Sequence, residues 1–182
     1  MIAKHDRPTK LLWLDLEMTG LNPQRDAMLE VAAEVTDFDL HTVVSYEAVI
    51  HQPEAVLARS DAWARTQHTA SGLLERVRSA GRSEQSVAAE LAALISTQFG
   101  DEPAVLAGNS VHQDRSFIRQ HWPEVEQLLH YRMLDVSSLK VYMQGKYGVE
   151  FAKKETHRAP DDIRESIAEW QYCLAWLAEH RA

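Results

Sequence analysis

The 182-residue chain has a single cysteine, Cys173, so it has no internal disulfide and fits a reducing compartment. Basic residues are also in short supply: 19 Lys and Arg against 27 Asp and Glu leave a formal net charge of −8. Such a balance argues against tracking along long nucleic acid, which needs many cations to neutralise phosphates, but it allows a short anionic ligand gripped locally. No apolar run is long enough to span a bilayer, and the opening MIAKHDRPTK is polar, without the apolar core of a secretory leader. The expectation is a cytoplasmic protein with no membrane partner. No repeat, low-complexity segment or dividing linker interrupts the chain. A composition of 45% hydrophobic and 25% charged residues fits one globular domain over residues 1–182, with 1–9 as a flexible N-terminal segment.

What the chain does have begins at LLWLDLEMTGL, residues 11–21. If this run is a strand, Leu12, Leu14, Leu16 and Met18 face one way and Trp13, Asp15 and Glu17 the other. Two carboxylates then sit side by side on an apolar strand and repel each other, an arrangement that a cation or a shared proton would relieve. Thr19-Gly20 ends the strand and places the pair near its mouth. AMLEVAAEVTDFD and TVVSYEAVIHQ read as two further strands, the first with a pattern that also suits a helix. Three strands in close succession predict an antiparallel meander.

Helical sequence follows over about Pro53–Arg78, with a break near HTASG, and a second helix enters at Ser83 with Val87, Leu91, Leu94 and Ile95 on its apolar face. PAVLAGN reads as a short buried strand, and RMLDVSSLKVYM leaves room for another before its helix. The fold class is α/β, a mixed sheet covered by helices.

Two more segments carry acids in informative places. In GNSVHQDRSFIRQHW, a helix starting near Ser110 puts Asp114, Phe117, Ile118 and His121 on one face. Asp114 is either an exposed first-turn acid favouring the helix dipole or a ligand-facing acid at the carboxyl end of a core strand. In HRAPDDIRESIAEWQYCLAWL, Ile163, Ile167, Trp170, Leu174 and Leu177 form a stripe at the helical period. Asp162 flanks that stripe while Asp161 points away, so Asp162 is the site candidate and Asp161 the solvent or capping residue. His157, five positions before Asp162, suits a general base because imidazole titrates near neutrality.

Together, Asp15-x-Glu17, Asp114 and His157-x4-Asp162 resemble the signature of the DEDDh 3′-to-5′ exonucleases. The blocks WLDLEMTGLNPQRDAMLEVA, HTASGL, GNSVHQDRSFI, HYRMLDVSSLK and HRAPDDIRESIAE are similar, in order, to the oligoribonuclease branch of that family. The resemblance implies a ribonuclease H-like mixed sheet, an antiparallel three-strand meander plus parallel strands, and hydrolysis of short oligoribonucleotides, especially 5′-phosphorylated dinucleotides, to nucleoside 5′-monophosphates. Carboxylate ligands suit two hard divalent ions, Mg²⁺ or Mn²⁺. By the same resemblance Asp15 bridges the ions, Glu17 and Asp162 complete one coordination shell, Asp114 serves the other partly through water, and His157 deprotonates the attacking water.

For substrate, the resemblance implies Leu21 as a wedge between bases and Trp63 and His68 along the 3′ nucleotide. It implies Ser110, Arg132 and Ser137 as a cap on the 5′ phosphate, and Tyr131 as a stacking residue contributed across a homodimer. Read from pattern alone, Leu21 and Trp63 suit ordinary core packing equally well. Glu155 and Pro160 depart from the family, standing where a glycine and an aliphatic residue are expected. Two other readings remain open: a proofreading or tRNA-trimming exonuclease acting on longer single strands, and a non-catalytic nucleic-acid-binding module.

Overall fold

The computed structural model describes residues 7–151 and 158–180. The alternation in the opening strand is realised as β1 (Lys10–Met18), followed by β2 (Met28–Asp37) and β3 (Thr42–Val49) in an antiparallel meander. The ambiguous second segment is thus a strand: paired on both edges and buried along most of its length, its side chains satisfy a period of two and no helical face remains. β4 (Ala104–Gly108) and β5 (Leu129–Asp135) extend the sheet in parallel, giving the order β3-β2-β1-β4-β5. β1 lies in the middle of this sheet.

Both faces of β1 are covered. Leu12, Leu14, Leu16 and Met18 join a core with Val87, Leu91 and Ile95 of α4 (Glu84–Phe99) and Phe117 and Ile118 of α5 (His112–His121). Leu11 and Trp13 join a smaller core with Val136, at the start of α7 (Val136–Tyr147), and Ala159 and Ile163 of α8 (Ala159–Glu179). Asp15 and Glu17 continue the Leu11–Trp13 face, so α8 necessarily arrives beside them. β4 approaches β1 closely at Gly108, where a Cβ would lie 2.8 Å from the Leu14 carbonyl oxygen.

Ser83 caps α4 by accepting from the Ser86 amide, as its sequence predicts. The helical sequence after Pro53 divides more finely than expected, into α1 (Glu54–Leu57), α2 (Ala62–Ala70) and α3 (Leu73–Ser79). The expected break falls at Ser71-Gly72, and an earlier one comes before Asp61, whose exposed side chain caps α2 by accepting from the Trp63 and Ala64 amides. A four-residue helix, α6 (Pro123–Glu126), links α5 to β5.

The stripe expected along the last helix holds for its first half only. Ile163 is buried and Ile167 and Trp170 pack against the smaller core, but Leu174 is 45% exposed and Glu169 and Cys173 take the buried positions. The reason is a change of neighbour. Its second half lies along α7, with Lys140 Nζ 3.2 Å from Glu169 Oε1 and the Tyr147 and Trp176 rings 4.7 Å apart. Pro160 fits the first turn of α8, where its missing N–H is one that no helical carbonyl would accept. Among the described residues, no helix is long and apolar enough to cross a membrane.

Candidate active site

The end of β1 and the first turn of α8 bring three carboxylates together. Asp15, Glu17 and Asp162 each offer an oxygen, and these atoms all lie within 4.8 Å of one another. Asp161, one residue earlier, instead faces outward and pairs with Arg164 at 2.9 Å. The tandem acids thus take the divergent directions that their angular offset along α8 predicts. Asp114 is buried beside the group without joining its tight cluster, and its Oδ1 accepts the Leu16 amide at 2.9 Å, between the two β1 acids in sequence. His157 and Glu155 lie outside the described residues.

Burial and like charge dominate the electrostatics. Burial, then the charges of Asp162, Glu30 and Asp114, push the Glu17 carboxyl up to about 8. Asp114 is raised to about 7, mainly by burial and against the pull of the Leu16 amide. His68 is buried with its Nε2 2.8 Å from the Met18 carbonyl oxygen. A carbonyl only accepts, so Nε2 carries the hydrogen and Nδ1 is turned to Glu17 Oε2, 3.7 Å away. A set of oxygen donors at this spacing, with protons held where charge is too dense, fits a hard divalent cation in place of those protons. A second group, Asp37, Asp39 and His41, occupies the exposed β2–β3 turn, where Asp37 accepts the Asp39 and His41 amides as turn residues do.

The acids open onto a cleft of about 680 Å³ lined by Leu21, Asn22, Arg25, Trp63 and His68. Leu21 and Trp63 are 71% and 61% exposed, so neither is a core residue. The loop carrying Leu21 is tied down by its own polar groups: Asp26 is buried and accepts the Asn22 amide at 2.9 Å, and Gly20 passes so close that a Cβ would meet Asp26 Oδ2 at 2.5 Å.

Ser110 and Ser137 meet at the ends of β4 and β5, with hydroxyl oxygens 2.9 Å apart. Ser110 holds φ = +52°, a left-handed conformation rare for a side-chain-bearing residue. Sequence reasoning missed the groups that hold this pair. Asp135 Oδ1 accepts both serine amides, at 3.0 and 2.9 Å, and Asn109 accepts the Ser137 hydroxyl while donating to the buried Glu169. Arg132 and Tyr131 lie on the outer strand β5, the guanidinium stacked 5.1 Å from the Tyr131 ring, and that ring is 72% exposed. Glu30 and Arg158, beside the acid cluster, were missed as well. A glutamate inside MLEVAAEV, with apolar residues on either side, was the available signal, because a buried acid needs a partner.

The RNase_T exonuclease family matches the chain over residues 12–170. The oligoribonuclease of Vibrio parahaemolyticus is 44% identical over 167 residues, covering 89% of this chain and 92% of the relative. That of Pseudomonas aeruginosa PAO1 is 44% identical over 170 residues, covering 91% and 94%. The fold is shared with the zinc-bound Escherichia coli exonuclease I in complex with single-stranded DNA, at a TM-score of 0.68 and 15% identity. This chain is 96% covered there but spans 43% of that protein.

The raised carboxyls set a pH dependence for metal binding. As metal ligands, Glu17 and Asp114 would first have to shed protons, so Mn²⁺ affinity should rise from about pH 6 to about pH 9 and level off above, with net release of between about one and two protons at pH 7. Calorimetric titration in buffers of different ionisation enthalpy measures both. Affinity flat across that range, with no proton released, contradicts the assignment.

Proposed function

Because the chain belongs to the RNase_T exonuclease family as a 3′-to-5′ exoribonuclease, we propose that its substrates are very short RNAs, above all 5′-phosphorylated dinucleotides. The observation that carries this reading is the distance set within the three-acid cluster, combined with two exposed hydrophobic side chains on the cleft above it. Asp15, Glu17, Asp162 and, from the far side, Asp114 would hold two divalent ions, Mg²⁺ or Mn²⁺. Such ions supply charge stabilisation for the attacking and leaving oxygens at phosphorus. His157 takes the proton of the attacking water, whose oxygen bonds to phosphorus as the bond to the 3′ oxygen breaks, and the leaving 3′ oxygen takes up a proton from solvent to become a hydroxyl. A nucleoside 5′-monophosphate and a chain shortened by one residue result.

Leu21 and Trp63 give apolar surfaces on which bases stack, a mode of contact indifferent to sequence. His68, held by the Met18 carbonyl, stands between the 3′ nucleotide and Glu17. At the other end Ser110, Ser137 and Arg132 receive the 5′ phosphate, supported by the closeness of the two hydroxyls and by the pre-set backbone of Ser110. Ser137 gives its own proton to Asn109 and so accepts that of Ser110; the Ser110 hydroxyl turns from Ser137 to donate to the phosphate, beside the charged donors of Arg132.

The partner we infer is a second copy of this chain. β5 is an edge strand that exposes Tyr131 and Met133, and the adjoining α7 exposes Val141 and Tyr142, an apolar margin that an isolated protein covers. Tyr131 then stacks on a base in the partner's cleft. The acidic overall charge weighs against the rival reading, an enzyme that threads long single strands.

Single-turnover digestion of 5′-labelled RNAs of graded length tests the substrate. Dinucleotides should react fastest, and removing their 5′ phosphate or introducing Arg132→Ala should weaken binding by about 2 to 3 kcal/mol. Equal rates on dinucleotides and twenty-residue RNA would support the rival. Mixed dimers test Tyr131: pairing a Tyr131→Ala subunit with an Asp15→Ala subunit leaves one intact site if the tyrosine acts in trans. It leaves none if the tyrosine acts in its own subunit.

A further inference from the structure

Glu30 is a fully buried carboxylate outside the acid cluster, placed directly opposite Glu17 in the β1–β2 pairing and so on the same face of the sheet. Its charge adds to the repulsion concentrated on Glu17, and the Arg158 charge offsets part of it. Donors surround the Glu30 carboxylate. Arg158 grips it with two nitrogens, Nε at 3.0 Å from Oε2 and Nη2 at 2.9 Å from Oε1, and Arg76 Nη1 lies 3.1 Å from Oε1. The Ala159 amide, first in α8, donates to Oε2 at 3.3 Å. Arg158, the residue before α8, offers its first turn no side-chain cap, and the Glu30 carboxylate fills that role from another strand.

The connection continues to the site. The Arg158 carbonyl accepts the Asp161 and Asp162 amides at 2.9 and 3.0 Å. Two hydrogen-bonded steps therefore separate Glu30 from Asp162: carboxylate to guanidinium and helix start, then carbonyl to the Asp162 amide. The three acids of the cluster repel one another, and the element most easily displaced by that repulsion is the first turn of α8, joined to β1 only across the sheet face. A bidentate, buried Arg–Glu pair opposes the displacement with fixed geometry.

We propose that Glu30 and Arg158 form a clamp that positions Asp162 against Asp15 and Glu17, so that the cation site is assembled before the cation arrives. Neither residue touches substrate or metal; both are positioning residues. The proposal rests on the acid cluster being the metal site.

The clamp can be told apart from simple electrostatics because its two halves carry opposite charge. If only the field at the cluster mattered, Glu30→Gln would weaken Mn²⁺ binding and Arg158→Met would strengthen it. A clamp predicts that both weaken it, by about tenfold or more, the usual effect of losing a partner that orients a ligand. The double variant should bind no worse than the weaker single one, because either change alone opens the clamp. Mn²⁺ binding by electron paramagnetic resonance reads the affinity. Hydrogen exchange at residues 159–163 of the metal-free protein should quicken in both variants. Arg158→Lys covers the case in which the methionine variant fails to fold: it keeps the charge but loses the fork, so the clamp predicts severalfold weaker binding and the field alone predicts no change. Tighter or unchanged binding in the arginine variants overturns the proposal. Asp162→Asn checks the reading beneath it: if that variant binds Mn²⁺ as well as the parent, the metal-site assignment has failed, whatever the clamp does.

Discussion

Three carboxylates held within 4.8 Å of one another are the constraint around which this molecule is arranged. Asp15, Glu17 and Asp162 gain nothing by meeting, and each is drawn further from water by the surrounding core. Two structural features force them together. β1 is clamped between strands on both edges and cores on both faces, so Asp15 and Glu17 cannot turn away without unseating Leu14, Leu16 and Met18. α8 is drawn onto the same face through Ala159 and Ile163, which pack beside Trp13. Folding energy from apolar burial is thus spent on electrostatic crowding, a pattern expected of a site rather than of a scaffold.

The same economy extends to the cleft. A chain with an excess of acids cannot attract nucleic acid by bulk charge, and what it offers is local: an acid cluster whose oxygens fit a divalent cation, apolar surfaces at Leu21 and Trp63, and a small polar group where Ser110 and Ser137 meet. Under the function proposed above, a ligand that reaches all three is short and ends where the cap begins, and the acid cluster at one end and the hydroxyls at the other together measure its length.

Much of this was legible in the sequence because it depends on periodicity. Alternation in LLWLDLEM assigned the faces of β1, and the angular offset between Asp161 and Asp162 separated an outward ion pair from a cluster acid. Ser83 announced its helix. What escaped was set by tertiary neighbours. Leu174 fits the helical stripe yet is exposed, since α7 replaces the sheet as the neighbour of α8 and Lys140 draws Glu169 inward. Asp61 as a helix cap, Asp135 as the anchor of both serines and Glu30 as the partner of Arg158 all depend on contacts between segments far apart in sequence. Patterning identifies which face a residue takes; it does not say which distant donor will find it there.

The central claim is that a divalent cation resolves the crowding of Asp15, Glu17 and Asp162. Anomalous diffraction from crystals grown with Mn²⁺ and a phosphorothioate dinucleotide addresses it most directly. The account predicts a manganese peak bounded by oxygens of those three residues, with the scissile phosphate beside it. A cluster without manganese, with the ion instead on the Asp37, Asp39 and His41 turn, would contradict it.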